Sequence, residues 1–521
     1  MKKKYVRWTL WTIASPFILF IILCILIYLP PIQNFLVDKA AVYASEATGM
    51  NISVGRISLS FPLNLVVTNV DAASPHNDTL LSVRRLQVNV QLLPLLKKQV
   101  EVDGISLQGA TVNSNDLIHG MKLNGTLGEL FISSHGVALD PETAIVNKVL
   151  LKDTDLSLCL NDTAAADTAA SDTAYWKIIL QDIDLQNVSF ALDMPLDSLS
   201  LAASLDNAIL RDGLIDLHKS AYSLQTFRIE NGRVRYDNGK PLAADSLSSG
   251  LDPSHIALTD IGVKLDSLYY GGRNMKAIIS QFVLKERSGV EIVSATGRMV
   301  SNDKVLRVPS LKLETRDSYL ELNAAMDWNA LDFKDEGLVS ARLMADIGKP
   351  DVVRFMGSMD EKFIRQYPSE PLRIRTGIDG DLNKLKLTTL TAELPGALGL
   401  FARGELTHLT DSLLRGGDIT LEAETKDLKF VSTLAEGIEI PYGTRLEGKF
   451  TMAGTKMGTD LLLMQPEAQA VVAADTIPIT VYNDSISVAD DFKMERAARL
   501  FAKYDLSRDR YEADLAVNHF D

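Results

Sequence analysis

Apolar and polar residues alternate strictly through Leu86-Gln87-Val88-Asn89-Val90-Gln91-Leu92. Successive side chains of a strand point to opposite faces, so this run has one apolar face and one polar face. Leu93-Pro94-Leu95-Leu96-Lys97-Lys98 interrupts it, because proline cannot donate to a sheet ladder and lysines prefer water. Alternation resumes in Val100-Glu101-Val102-Asp103, and Gly104 is expected to break the strand before Ile105-Ser106-Leu107-Gln108.

The same grammar of strand, short turn and strand runs through residues 50–521. It starts with Ile52 and Val54, then Ile57 and Leu59, then Leu63, Leu65 and Val67. Asn69-Val70-Asp71 and Ser74-Pro75-His76-Asn77-Asp78 carry turn chemistry. Asn161 to Ala174, rich in Ala, Asp and Thr without a large apolar residue, is expected to be a flexible surface loop. Strands resume on either side of Asn231-Gly232, a dipeptide that predicts a hairpin turn.

Two stretches change period. Val352, Phe355, Met356, Met359 and Phe363 form a helical stripe, with Asp351 as N-cap and an end before Tyr367-Pro368. Asp427 to Ile438 predicts a shorter helix. After each comes a related opening, Pro371-Leu372-Arg373-Ile374-Arg375 and Pro441-Tyr442-Gly443-Thr444-Arg445, so a loosely repeated layout is expected from about residue 350. The last alternating segment, Tyr511 to Val517, has no cap, and a repeat array that lacks one is expected to continue in a longer polypeptide.

Before the strands, Trp8 to Leu29 contains no charged residue and is long enough to span a bilayer as a helix. Trp8 and Trp11 mark one interface, and Lys2, Lys3, Lys4 and Arg7 place the amino terminus in the cytoplasm with the body exported. Pro30-Pro31 follows with no small-residue cleavage site, so an uncleaved anchor is expected rather than a signal peptide. The predicted organisation is a basic tail (1–7), an anchor (8–29), a short amphipathic helix (30–49) and a β-rich body (50–521).

The net charge of −14, with four cations ahead of the anchor, leaves an acidic body and argues against nucleic acid as partner. Cys24 and Cys159 lie on opposite sides of the anchor's end, so no disulfide framework is expected. The seven histidines (His76, His119, His135, His218, His255, His408, His519) show no metal-ligand spacing. No phosphate loop, dinucleotide fingerprint, nucleophile elbow or His-Glu-x-x-His occurs. No catalytic residue, metal or cofactor is expected, although carboxylates that meet only in the fold leave a glycosidase open.

The anchor, the short helix, Thr48-Gly49-Met50-Asn51-Ile52-Ser53-Val54-Gly55-Arg56-Ile57 with Leu59-Ser60-Phe61, and the later Gly377-Ile378-Asp379-Gly380-Asp381-Leu382 with Gly404-Glu405-Leu406 resemble the AsmA-like superfamily, and within it the translocation-and-assembly-module (TamB) branch. The resemblance implies an inner-membrane anchor and a periplasmic body of mainly antiparallel β-sheet, elongated and curled into a groove, with a few packing helices. It further implies phospholipid conduction toward the outer membrane, or assistance to outer-membrane protein assembly with a β-barrel partner. That branch's large C-terminal portion, which engages the outer-membrane partner, has no counterpart in these 521 residues. The expected groove residues are Leu86, Val88, Val90, Leu92, Val100, Val102, Ile105 and Leu107, chosen for their phase. A closed sandwich with a dry core is the alternative reading of the same alternation.

Overall fold

The chain is mainly β, as the alternation predicts. The computed structural model describes most residues from 48 to 518, with 39, 41–42 and 45–46 before them. Outside the described residues lie 1–38, 40, 43–44, 47, 61–63, 75–77, 92–101, 115–119, 139–141, 162–175, 240–249, 335, 357–359, 434–442, 467–478, 483–484, 489–493 and 519–521. The anchor with Lys2, Lys3, Lys4, Arg7, Trp8 and Trp11, the Leu93–Lys98 turn, Leu92, Val100 and nearly all of the 161–174 loop are among these. Among the described residues no helix is long and apolar enough to cross a membrane. The described positions between 39 and 48 are helical, and Ser45 Oγ accepts from the Ile52 amide at 3.0 Å.

Internal contacts divide the chain into two units, Met1–Lys240 and Pro241–Asp521. The first holds β1 (Asn51–Ser60), β2 (Asn64–Ala73), β3 (Thr79–Val90), β4 (Val102–Asn113), β5 (Met121–Ala138), β6 (Thr143–Leu160), β7 (Lys177–Met194), β8 (Leu199–Asp216), β9 (Ala221–Leu224) and β10 (Thr226–Asp237). Each strand pairs with the next in order, and β9 and β10 lie end to end along β8. Ser74 N donates to Asp78 O at 2.8 Å, closing the β2–β3 hairpin where the sequence predicts a turn.

The expectation of an antiparallel sheet fails at one place: β6 and β7 pair in parallel. Three predicted breaks are also absent. Gly104 lies inside β4, opposite Asn89 and Ser133, where a Cβ would come 3.2 Å from the Ile132 carbonyl. Its lack of a side chain serves a close backbone approach, not a turn. Asn69-Val70-Asp71 lies inside β2 and Asn231-Gly232 inside β10. Both asparagines adopt positive φ, 51° and 53°, as in a turn, but they use it within a strand.

The second unit is an antiparallel meander: β11 (His255–Gly271), β12 (Asn274–Glu286), β13 (Glu291–Ser301), β14 (Val305–Thr315), β15 (Tyr319–Asp327), β16 (Leu338–Ile347), β17 (Leu372–Asp381), β18 (Lys384–Leu394), β19 (Leu398–Thr407), β20 (Gly416–Thr425), β21 (Arg445–Ala453) and β22 (Lys456–Pro466). A separate hairpin, β23 (Ile479–Tyr482) and β24 (Ser485–Val488), precedes β25 (Met494–Asp505) and β26 (Arg510–Val517), and β25 pairs with β22.

Among the described residues four helices interrupt this unit: α1 (Trp328–Leu331), α2 (Lys349–Met356), α3 (Glu361–Gln366) and α4 (Lys429–Ser432). The single helix expected over 351–363 is therefore two, and its capping differs from the prediction. Asp351 sits inside α2, fully buried, where it accepts hydrogen bonds from Thr315 Oγ1 and, at 2.6 Å, from Ser318 Oγ. It ties the helix to the β14–β15 turn, while Asp360 caps α3 by accepting from the Lys362 amide at 2.7 Å. The predicted 427–438 helix is the short α4, with 434–438 outside the described residues.

Candidate functional site

Residues directly opposite one another in a sheet project to the same face, so strand register shows which side chains meet. The expected groove residues meet in pairs: Leu86 faces Leu107, Val88 faces Ile105 and Val90 faces Val102. The register then extends the first two pairs across the unit. One row reads Leu59, Leu65, Val88, Ile105, Ile132, Val149, Ile183, Leu210, Phe227. Its neighbour reads Ile57, Val67, Leu86, Leu107, Leu130, Leu151, Leu185, Ala208, Ile229. Both cross nine strands without a polar residue.

Burial separates an open surface from a sealed core. In the two rows only Ala208 is buried, and every other residue is half-buried. Among the described residues of this unit the buried hydrophobics are Ala72, Leu80, Val83, Ala208 and Ala221, a small set for a sheet of this size. A dry sandwich core would bury the large row residues instead.

A seam crosses the same sheet. Gly55, Asn69, Arg84, Gly109, Gly128, Asp153, Asn187 and Asp206 each fall out of the strand pairing, opposite one another on successive strands. Asn69, Gly109, Asp153 and Asn187 have φ between 48° and 61°, and Asn231 on β10 follows at 53°. Asn187 Nδ2 donates to Asp153 Oδ1 at 2.9 Å, and Asn231 Nδ2 donates to Asp206. On Gly109 a Cβ would collide with the Arg84 guanidinium. The apolar phase shifts by one residue across the seam: 65 and 67 give way to 70 and 72 on β2, and 183 and 185 to 188 and 190 on β7. The register is the same on both sides of the seam, so the residue that drops out on each strand carries the change of phase without a bulge.

The second unit has rows of its own. Val263, Phe282, Ala295, Leu313, Leu320, Ala345, Ile374, Ala392, Leu400, Ala423, Leu446, Leu463, Ala498 and Val517 stand in one line over fourteen strands. Ala295, Ala345 and Ala423 are buried, Val517 is exposed, and the others are half-buried. At one end of the strands, α3 and α4 close over the sheet. Phe363, Tyr367 and Phe430 pack ring against ring, with centroids 5.2–5.7 Å apart, over Leu394, Ala397 and Leu428.

The next pleat phase carries charge. Arg445 lies 3.3 Å from Glu447 and 3.9 Å from Glu422, and Arg499 grips Asp460 with two nitrogens, at 2.6 and 2.8 Å. That guanidinium holds the Asp460 carboxyl below the usual carboxylate range, the reverse of what a proton-donating acid requires. Glu424 is different: it is buried, its Oε2 has no hydrogen-bond partner, and burial pushes its carboxyl up. Among the described residues no cluster of His, Cys, Asp and Glu could hold a metal ion.

Sequence reading found four of these positions, Leu86, Val88, Ile105 and Leu107, and missed the remainder of the rows, for example Ile132, Ile183, Leu210 and Phe227. The signal was present as alternation on each strand, but the one-residue slips at Asn69, Asp153 and Asn187 hide which phases belong together. No known family model matches the chain, and no curated protein matches it either.

Proposed function

We propose that the chain is an inner-membrane-anchored periplasmic protein that binds phospholipid acyl chains along its apolar rows and conducts them between the two membranes of a Gram-negative-type envelope. One observation carries this reading: the rows are continuous and their large side chains remain half-buried. An acyl chain laid across such a row removes methylenes from water at about 0.8 kcal/mol each, on the order of 13 kcal/mol for sixteen before entropy is counted. Because successive positions in a row are chemically alike, sliding along it exchanges one aliphatic contact for another and needs no catalytic residue. The anchor comes from the uncharged run Trp8–Leu29 behind its basic tail, and the elongated groove and the two-membrane envelope come from the resemblance to the AsmA-like superfamily.

A second reading, a scaffold for outer-membrane protein assembly, draws on β26. Every residue of this strand is exposed, including Tyr511, Leu515 and Val517, and β25 is its one partner in the described pairing. An open edge can take a client strand by backbone hydrogen bonding.

The test is lipid mass spectrometry on the full chain released from membranes without detergent exchange. Co-purifying phospholipid that is lost when Val88 and Ile105 are both changed to Asp, with the β-sheet circular dichroism unchanged, supports the conduit. A folded chain carrying no phospholipid refutes it and leaves the scaffold.

A further inference from the structure

In an antiparallel meander every second hairpin turns at the same end of the strands, so the β11–β12, β13–β14 and β15–β16 connections lie side by side. Side chains lock these three together. Arg273 from the first donates to Asp332 of the third at 2.9 Å and lies 5.3 Å from the Trp328 ring. Asn274 donates to Asp303 of the second at 2.9 Å, and the Trp328 indole donates to the Asn302 carbonyl at 2.6 Å. The result is a braced platform rather than three independent loops.

The platform displays apolar side chains to solvent. Phe333 is 67% exposed, Leu338 60% and Leu331 48%, with Tyr269 and Tyr270 beside the first turn. Phe333 also has φ 60°, just after α1, where its amide donates to the Ala330 carbonyl at 3.1 Å. Helices commonly end in this left-handed conformation, and glycine is the residue that adopts it without strain. A bulky aromatic there is an outlier. The chain therefore keeps a strained, water-exposed ring at the place where glycine would be more stable, which contact with a partner would explain and folding does not.

The composition around the ring identifies that partner. Exposed leucine and phenyl groups lie beside an indole, a phenol and charges paired on Asp332 (Trp328, Tyr269, Arg273 and Lys334), with Glu336 also exposed. Amphipathic aromatic rings beside apolar groups favour the boundary between hydrocarbon and headgroup at a bilayer surface. Single side chains carried on turns suit insertion between lipids. The uncharged run Trp8–Leu29 would in addition tether the chain to a membrane. We infer that the Phe333 platform docks on a phospholipid bilayer surface, with Phe333 and its neighbouring leucines entering the headgroup boundary. This depends on the membrane anchor and not on lipid conduction.

The test uses the full chain reconstituted in vesicles of phosphatidylethanolamine and phosphatidylglycerol, with Cys24 and Cys159 replaced by Ala and one fluorophore attached through Lys334→Cys. Nitroxide-labelled lipid is expected to quench this fluorophore and to leave one attached through Ser288→Cys, at the opposite end of the strands, unquenched. Adding Phe333→Gly is expected to abolish most of the quenching while the melting temperature holds or rises, so loss of folding cannot imitate the result. Equal quenching with and without Phe333 overturns the inference. So does an unquenched Lys334→Cys probe, or one that is shielded only by a second copy of the chain.

Discussion

Two residues are held in states that cost the fold free energy, and each gives a prediction. Phe333 occupies left-handed backbone, a conformation that disfavours a residue with a Cβ by about 1 kcal/mol relative to glycine. Phe333→Gly is therefore expected to raise stability by about that amount, read as a higher denaturation midpoint. Glu424 is buried with an unpartnered carboxylate oxygen, and its pKa is raised by burial against the opposing pull of Arg445 and Lys426. The folded state thus keeps this proton to higher pH than the unfolded state. Its contribution is most favourable in acid and is lost as pH rises from the ordinary value of 4.5 through the raised one. Glu424→Gln is expected to melt above the parent chain in mildly alkaline buffer, by on the order of 1 kcal/mol, with the advantage shrinking toward pH 4.5.

At the scale of elements, the seam and the helix pair do different work. Asn187 uses a conformation that asparagine tolerates and β-branched residues resist. Asn187→Gly is expected to be nearly neutral, whereas Asn187→Val is expected to cost about 1–2 kcal/mol in chemical denaturation. Phe430 fills the aromatic cluster under α3 and α4, so Phe430→Ala is expected to cost about 3–5 kcal/mol. These elements also show where the sequence could be read. Strands were legible because alternation needs only neighbouring residues. The seam was not, because Asn69 and Asn231 carry the same local preference for positive φ whether they turn the chain or bend a strand. Only pairing with the next strand decides between the two. Asp351 was mistaken for a cap for a similar reason: its partners, Thr315 and Ser318, lie more than thirty positions away.

Across a whole unit, register turns short alternations into rows. Leu86, Val88, Ile105 and Leu107 were chosen for phase, and register places them in two unbroken apolar lines. The rest of each line was out of reach because strand order is a long-range property. The parallel pairing of β6 with β7 was equally hidden, since the Ala-Asp-Thr segment between them gives no sign of the direction in which the chain returns. A lipid held along these lines would bridge many strands at once. The affinity of the doubly substituted Val88→Asp, Ile105→Asp chain is therefore expected to fall by far more than two methylenes' worth.

That parallel pairing also sets an order of events in time. Antiparallel neighbours can zip from a turn, but the parallel pairing of β6 and β7 needs Lys177 brought beside Thr143, at the far end of β6 from Leu160. The entropy of that closure comes before any of its contacts can form. The block β1–β6 should thus assemble early as a run of hairpins, with the β6–β7 ladder completed in a slower phase. Trp176, one residue ahead of β7, is placed to report it. With the other three tryptophans replaced by phenylalanine, its fluorescence should change after most of the far-ultraviolet circular dichroism has appeared. During that interval the two halves of the row face would be exposed separately, so a chaperone that shields apolar strands would be needed most before the ladder closes.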